Sequence, residues 1–164
     1  MKENIQESLE IYKKQLEEGH IQIAYISLMK LISKLKSDFP NHYQTGNISP
    51  GYLDYTYFPF FNDYLRKHKL RFGIVLNHKN MQFELWLMGQ NINIQKNYWN
   101  ILKDTVWNHN KEMPKYSIVV VVLENQIDFN NKERMIKNII EQSVLTAIKI
   151  QEYLKKHENE DMTY

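Results

Sequence analysis

The sequence contains no cysteine, and this absence excludes disulfide bridges, thiolate metal sites and cysteine nucleophiles. Its 5 glycines form neither a G-x-G-x-x-G turn nor a phosphate loop, so no nucleotide-binding signature is present. The 6 histidines form neither H-x-H nor H-E-x-x-H, and no serine lies in a G-x-S-x-G elbow. We therefore expect no metal site and no cofactor.

Long apolar segments are also lacking. The longest apolar run, 118–123, is far shorter than the roughly 20 residues that a membrane helix needs. The amino-terminal segment MKENIQESLEIYKK is polar and does not look like a secretory signal. The 21 basic and 19 acidic residues give a net charge of +2, without the cationic excess that is typical of nucleic-acid-binding proteins. We expect a cytoplasmic protein with neither a membrane nor a nucleic acid as its partner.

Aromatic residues, in contrast, are abundant. The chain has 11 tyrosines, 7 phenylalanines and 3 tryptophans. Tyrosine and tryptophan are enriched at binding surfaces because they combine a large apolar area with one polar atom. The same composition also fits a tyrosine-rich core, and the sequence leaves both interpretations open.

The clearest local pattern is a β-hairpin over 70–88, with its turn around His78. A loop of two or four residues is the common even length. It would place Phe72, Ile74 and Leu76 opposite Leu87, Leu85 and Phe83 on a wholly apolar face that must lie on the core. The second, mixed face pairs the following residues: Asn77 with Gln82, Val75 with Glu84, Gly73 with Trp86, and Arg71 with Met88.

The remaining pattern predicts helices around this hairpin. Two helices meet at Gly19, and the second stops before Pro40. A strand over 52–58 ends at Pro59.

After the hairpin, a helix extends from Asn91 or Asn93 to about residue 106. Segment 116–123 carries apolar residues at both odd and even positions, which is typical of a central strand with helices on both sides of the sheet. A long helix over 132–156 follows.

These elements predict an α/β (α+β) domain in the order α-α-β-β-β-α-β-α. The sheet is expected to be mixed, mainly antiparallel, and to have about four strands with helices packed on it. We predict one globular domain over 1–156 and a polar, frayed tail over 157–164.

Three segments carry a resemblance: YKKQLEEGHIQIAY, GYLDYTYF, and IVLNHKNMQFELWLMGQN followed by YW. Through the motifs G-Y-x-D-x-T-Y and F-E-x-W-L-x-G, the chain resembles an uncharacterised family of short bacterial proteins, a domain of unknown function. The resemblance extends over about 11–99, with a looser match in the last helix. It implies a fold but no activity and no catalytic residues.

Glu84 and Trp86 are the first candidates for a site, because both lie on the mixed face of the hairpin. A carboxylate beside an indole could line a pocket. Alternatively, Trp86 packs over Gly73, and Glu84 pairs with a basic group of a covering helix.

The leading functional hypothesis is a non-catalytic domain that binds a small molecule or a protein through an aromatic-lined surface. The candidate residues on this surface are Tyr52, Asp54, Tyr57, Glu84, Trp86, Asn91 and Trp99.

An enzyme is the second hypothesis, with Asp54 and Glu84 forming a two-carboxylate hydrolase site if their strands are adjacent. The order of elements also resembles restriction-endonuclease-like nucleases. That family implies an acid-x-Lys motif, whereas Trp86 stands where the lysine would be, so such a nuclease would be degenerate. A homodimer organised by an exposed strand edge or by the last helix is the third hypothesis.

Overall fold

The computed structural model describes residues 4–161, and the side chains of 4–158. It confirms an α+β fold. The helices are α1 (Ile5–Glu18), α2 (His20–Ser37), α3 (Asp63–Lys67), α4 (Ile92–Leu102) and α5 (Lys132–Asp161). The strands are β1 (Gln44–Thr45), β2 (Tyr55–Phe61), β3 (Leu70–Asn77), β4 (Gln82–Gly89) and β5 (Val119–Glu124). The predicted number of about four strands omitted β1, which has only 2 residues. No helix within 4–161 is long and apolar enough to cross a bilayer.

The sheet has the strand order β1-β2-β3-β4-β5. Each pair of neighbouring strands in the described sheet is antiparallel. The sheet is therefore antiparallel throughout, and not mixed as the sequence suggested. The hairpin register is confirmed at every pair, including Val75 opposite Glu84 and Gly73 opposite Trp86. Four residues, 78–81, connect the two strands. The grouping of apolar side chains on one face thus predicted the correct pairing of residues in the hairpin.

Strand β2 extends through Pro59, so the predicted end at this residue was wrong. The carbonyl of Pro59 accepts a hydrogen bond from Gly46 N, on the side of the sheet where β1 lies. In an antiparallel strand the N–H of the same residue would point to that side too. Because β1 pairs over only two positions, a residue without an N–H is tolerated there.

Strand β5 is at an edge of the sheet, so its predicted central position was also wrong. It pairs only with β4, and the side chain of Val122 is 51% exposed. An apolar run shows that a strand is partly buried, but it does not show how many neighbours the strand has.

The helices lie on one face of the sheet, in contrast to the arrangement on both faces that the sequence suggested. Side chains of α2, α3, α4 and α5 form the main core together with the apolar face of the hairpin. The second face carries a smaller cluster that includes no described helical residue. This cluster contains Val75, Trp86 and Met88, with Tyr55, Tyr57 and Val120 packed against it.

The first and the last helix differ in character. Helix α1 buries no side chain and ends at Gly19, whose φ of +79° suits glycine. Helix α5 continues beyond the predicted end at residue 156, to Asp161. Of the predicted frayed tail, 157–161 is therefore helical, and 162–164 lies outside the described residues.

Candidate functional site

The centre of the candidate site is the carboxylate of Glu84, which is only 4% exposed. Its Oε1 accepts hydrogen bonds from Asn77 Nδ2 at 3.0 Å and from Gln82 Nε2 at 2.6 Å. Its Oε2 accepts one from Trp86 Nε1 at 2.7 Å. The antiparallel register creates this cluster, because Asn77 and Gln82 are directly paired and lie on the same face as Glu84 and Trp86.

All three donors to Glu84 are neutral. No ion pair among the described side chains includes this carboxylate, so the expected pairing with a basic group of a covering helix was wrong. The three N–H donors replace the water molecules that burial removes from the carboxylate. An ionised carboxylate offers about four acceptor positions, and here Oε2 has only one donor. One position on Oε2 is therefore left for a further donor.

Aromatic rings extend outward from this carboxylate. The ring of Tyr55 meets the indole of Trp86 edge to face, with centroids 4.9 Å apart. Tyr116 meets Tyr55 in the same manner at 6.3 Å. The space beside Gly73 is occupied by Met88, whose Cε would lie 2.7 Å from a Cβ at that glycine, rather than by Trp86. The indole is thus oriented by Tyr55 and Glu84.

A cavity of about 310 Å³ lies against these groups. Its far wall comes from the connection between α4 and β5, which contributes Asn110, Pro114, Lys115, Tyr116 and Ser117. Around Glu84, the mixed face of the hairpin therefore lies beneath a loop and a cavity.

Ser117 also lines this cavity. This residue is 1% exposed, and its Oγ has no hydrogen-bond partner among the described atoms. A buried hydroxyl without a partner is costly. Because this oxygen is closed to solvent, the Ser117 side chain must turn towards the cavity before a ligand can supply the missing partner.

Lys115 carries the one positive charge among the described residues that line the cavity. It is exposed, and its Nζ lies 5.0 Å from the centre of the Tyr116 ring. Interaction with the Tyr116 side chain raises the pKa of Lys115. The rim of the cavity thus already holds one ammonium group against an aromatic ring.

The structure brings together only part of the predicted surface. Glu84 and Trp86 are in direct contact. Tyr57 lies on the same face and packs against the small apolar cluster, but it does not line the cavity. Asn91 caps α4 by accepting a hydrogen bond from Ile94 N at 3.0 Å. Trp99 packs against the main core. Asn91 and Trp99 therefore have structural positions away from the cavity.

The first part of the G-Y-x-D-x-T-Y segment, 51–54, forms a bend that leads into β2. Oδ1 of Asp54 accepts hydrogen bonds from the backbone N–H groups of Tyr52 and Tyr55, at 2.8 and 2.7 Å. These bonds lower the pKa of Asp54. Gly51 has a φ of +69°, and a Cβ there would lie 2.2 Å from the carbonyl oxygen of Tyr55. Tyr52 itself is 95% exposed. The motif positions Tyr55, so its contribution to the cavity is indirect.

The two-carboxylate arrangement has no support in this geometry. Asp54 precedes β2, and its Oδ1 is engaged by the backbone. Glu84 is on β4, separated from β2 by β3, and its oxygens bind other side chains. Within the described residues, no group of three His, Cys, Asp or Glu side chains could hold a metal ion.

Sequence analysis missed several residues that border or support the cavity. Asn77 and Gln82 could have been found from the register, because they share the mixed face with Glu84. Tyr55 could not, because the predicted strand began three residues too early and gave no link to Trp86. Tyr116 and Ser117 precede β5, and no local pattern indicates that a loop covers the hairpin.

A second polar cluster lies on the helical side of the molecule. Nε2 of His68 is 3.1 Å from Oε2 of Glu158, and His68 Nδ1 is 2.8 Å from the carbonyl oxygen of Tyr64. Burial, together with the nearby Glu158 carboxylate, raises the pKa values of Tyr64 and Tyr98 above the ordinary range for tyrosine. This cluster joins α3 and α4 to the end of α5.

Comparison with known proteins is consistent with the resemblance noted in the sequence. No curated protein and no solved structure matches the chain. One family model matches residues 5–154, and its description is a domain of unknown function, DUF7000. The match covers nearly all of the 164 residues, so the chain belongs to the DUF7000 family.

Proposed function

We propose that this domain binds a small molecule in the cavity beside Glu84, without transforming it. The observation that carries the proposal is that a residue with an unpartnered hydroxyl and a residue with a buried carboxylate line the same aromatic cavity. Ser117 and Glu84 both border this space, and each retains capacity for a hydrogen bond. Small-molecule sites typically combine apolar walls with a few convergent polar groups.

The concave shape favours a small molecule over a protein partner. At about 310 Å³, the cavity is at the lower end of the usual range of roughly 300–1,000 Å³ for ligand pockets. A protein interface would instead require an extended surface, of which Tyr52 is the only predicted aromatic member that is highly exposed among the described residues.

Binding is favoured over catalysis because the polar groups are not arranged as a nucleophile and its base. A nucleophilic serine is activated by a hydrogen bond to a general base, whereas Ser117 Oγ makes none. The oxygens of Glu84 are instead engaged by three neutral donors, which hold the carboxylate in place.

We also propose that the protein functions in the bacterial cytoplasm. The absence of cysteine fits a reducing compartment, where disulfides do not contribute to stability. Fractionation of cells that produce the tagged full-length chain tests this location. Recovery in a membrane or secreted fraction would contradict it.

The binding proposal can be tested by nuclear magnetic resonance with ¹⁵N-labelled protein. The chain has 3 tryptophans, so Trp86, Trp99 and Trp107 give three indole N–H signals, which Trp86→Phe and Trp99→Phe variants assign. Pools of small aromatic and aliphatic fragments should include members that shift the Trp86 signal in a saturable manner. The Trp99 signal should not move, because Trp99 packs on the other face of the sheet. If no fragment moves the Trp86 signal, or if both signals move together, the proposal is wrong.

A further inference from the structure

We infer that the ligand is a small organic cation, a protonated amine next to a compact apolar group. This inference rests on the proposed function, because it assigns a chemical class to the molecule in the same cavity. Four features of the site support it: the charge of Glu84, the acceptors that remain free, the aromatic walls and the size of the cavity.

The charge of the site is the first argument. Glu84 is 4% exposed, and none of its three hydrogen-bond partners is charged. Interactions between charges are much stronger in a buried site than in water. The carboxylate therefore attracts a ligand with a positive charge. It adds no such attraction for a neutral ligand, and it repels an anion.

The free hydrogen-bonding positions are the second argument. Oε2 of Glu84 retains an acceptor position, and Ser117 Oγ is free to accept as well. A primary ammonium group has three N–H donors and no acceptor. It can donate one N–H to Glu84 Oε2 and direct the others to neighbouring acceptors, whereas a hydroxyl has one donor and a carboxylate has none.

The aromatic walls are the third argument. Tyr55, Trp86 and Tyr116 surround the approach to the carboxylate, and aromatic faces attract ammonium groups. Lys115 shows this interaction at the rim, where its Nζ lies 5.0 Å from the Tyr116 ring centre. A ligand amine would use the same kind of contact deeper in the cavity.

The positive charge of Lys115 could instead attract an anion. However, Lys115 is exposed, and solvent screens an exposed charge strongly. The buried charge of Glu84 therefore has the greater influence on which ligand enters. The volume of about 310 Å³ then favours a compact monoamine over a nucleotide or a long polyamine.

Three probes of similar shape test this inference: phenethylamine, phenethyl alcohol and hydrocinnamate. Their dissociation constants are measured from titrations of the Trp86 indole signal at neutral pH. We expect phenethylamine to bind at least about tenfold more tightly than the alcohol, because only the ammonium adds a charge–charge attraction to its hydrogen bond with Glu84. Hydrocinnamate should bind more weakly than either of the other two probes.

Glu84→Gln should bring the affinity for phenethylamine to about that for the alcohol. Glu112→Gln is the matched control, because it removes the same charge from an exposed position in the covering loop that does not line the cavity. It should leave all three affinities unchanged. If Glu84→Gln does not fold, Ser117→Ala provides a second test, with a severalfold loss of affinity for the amine and a smaller loss for the alcohol.

The outcomes separate the two proposals. Equal binding of amine and alcohol, or preferential binding of hydrocinnamate, would overturn the amine assignment while small-molecule binding stands. The same is true if fragments bind at Trp86 but phenethylamine does not. If neither the fragments nor these probes move the Trp86 signal, both proposals are wrong.

Discussion

Nε2 of His68 lies 3.1 Å from Oε2 of Glu158, so the residue that follows α3 is joined to the last part of α5. His68 Nδ1 faces a backbone carbonyl of Tyr64, which can only accept a hydrogen bond, so this nitrogen carries a proton. A hydrogen bond between Nε2 and Oε2 then requires a proton on one of the two atoms. The pair therefore shares one proton, as an ion pair or as a neutral pair.

This contact should contribute to stability. We expect His68→Ala and Glu158→Gln each to lower the free energy of unfolding by about 1–3 kcal/mol, because the partner is left in a partly buried site. Urea denaturation followed by circular dichroism measures the change. Glu141→Gln is the control, since its pair with Lys137 is exposed and should contribute less than about 1 kcal/mol. Equal effects of Glu158→Gln and Glu141→Gln would show that the contact adds nothing.

The buried Tyr98 and the half-buried Tyr64 of this cluster should make the protein sensitive to alkali. Burial, followed by the Glu158 carboxylate, raises the pKa values of Tyr64 and Tyr98 from the ordinary 10.0. A raised pKa favours the protonated form in the folded state. The corresponding stability is present below pH 10.0 and is lost as the pH rises towards the folded-state pKa.

Stability measured by urea denaturation should therefore fall less steeply above pH 10.0 in Tyr64→Phe and Tyr98→Phe than in the wild type. Tyr52→Phe, at a position that is 95% exposed, is the control and should follow the wild-type curve. If the slopes of all four proteins coincide, the two phenols do not cause the alkaline loss.

His78 should cause a loss of stability in acid. Desolvation lowers its pKa below the ordinary 6.5, although the nearby Asp54 carboxylate opposes this shift. The unfolded chain then binds a proton more readily than the folded chain does. Stability is fully present above pH 6.5 and declines as the pH falls through the folded-state pKa.

The imidazole stacks on Tyr25 at 6.3 Å and lies 2.8 Å from Thr56 Oγ1. His78→Gln should lower stability at neutral pH but reduce its dependence on pH below 6.5. His20→Gln, at an exposed helical position, is the composition-matched control. A His78→Gln profile parallel to the wild type would assign the acid sensitivity to other groups, such as Asp54, whose pKa is also lowered.

Two glycines with positive φ values should respond differently to alanine. A Cβ at Gly51 would lie 2.2 Å from the carbonyl oxygen of Tyr55, whereas a Cβ at Gly19 would have nothing within 4 Å. Gly19→Ala should lower the free energy of unfolding only by the cost of a left-handed backbone conformation for alanine, roughly 1–2 kcal/mol. Gly51→Ala adds a steric clash, so we expect a larger loss and a shift of the Trp86 indole signal through Tyr55. Thermal denaturation of both variants tests the order, and the reverse order would contradict it.

The parts of the fold that sequence analysis predicted correctly depend on local patterns. The alternation of Phe72, Ile74 and Leu76 with the residues of the mixed face predicted the register of the hairpin, because a shift by one residue would bury the wrong face. That register was sufficient to place Glu84 and Trp86 side by side.

The parts that were missed depend on contacts distant in sequence. The apolar composition of β5 does not determine which strands flank it, so its edge position could not be inferred. Ser117 and Tyr116 border the cavity only because a loop of irregular structure lies over β4. Pro59 remains in a strand because of the short partner β1, whose two residues give almost no local signal.

The three rings of the cavity come from β2, β4 and the segment before β5. In an unfolded chain these segments are far apart, so the proposed binding site exists only in the native state. A ligand therefore stabilises the folded protein in proportion to the logarithm of its concentration, by about 2.7 kcal/mol at a hundred times its dissociation constant. The melting temperature of the protein in the cell would then depend on how much of that ligand the cell contains.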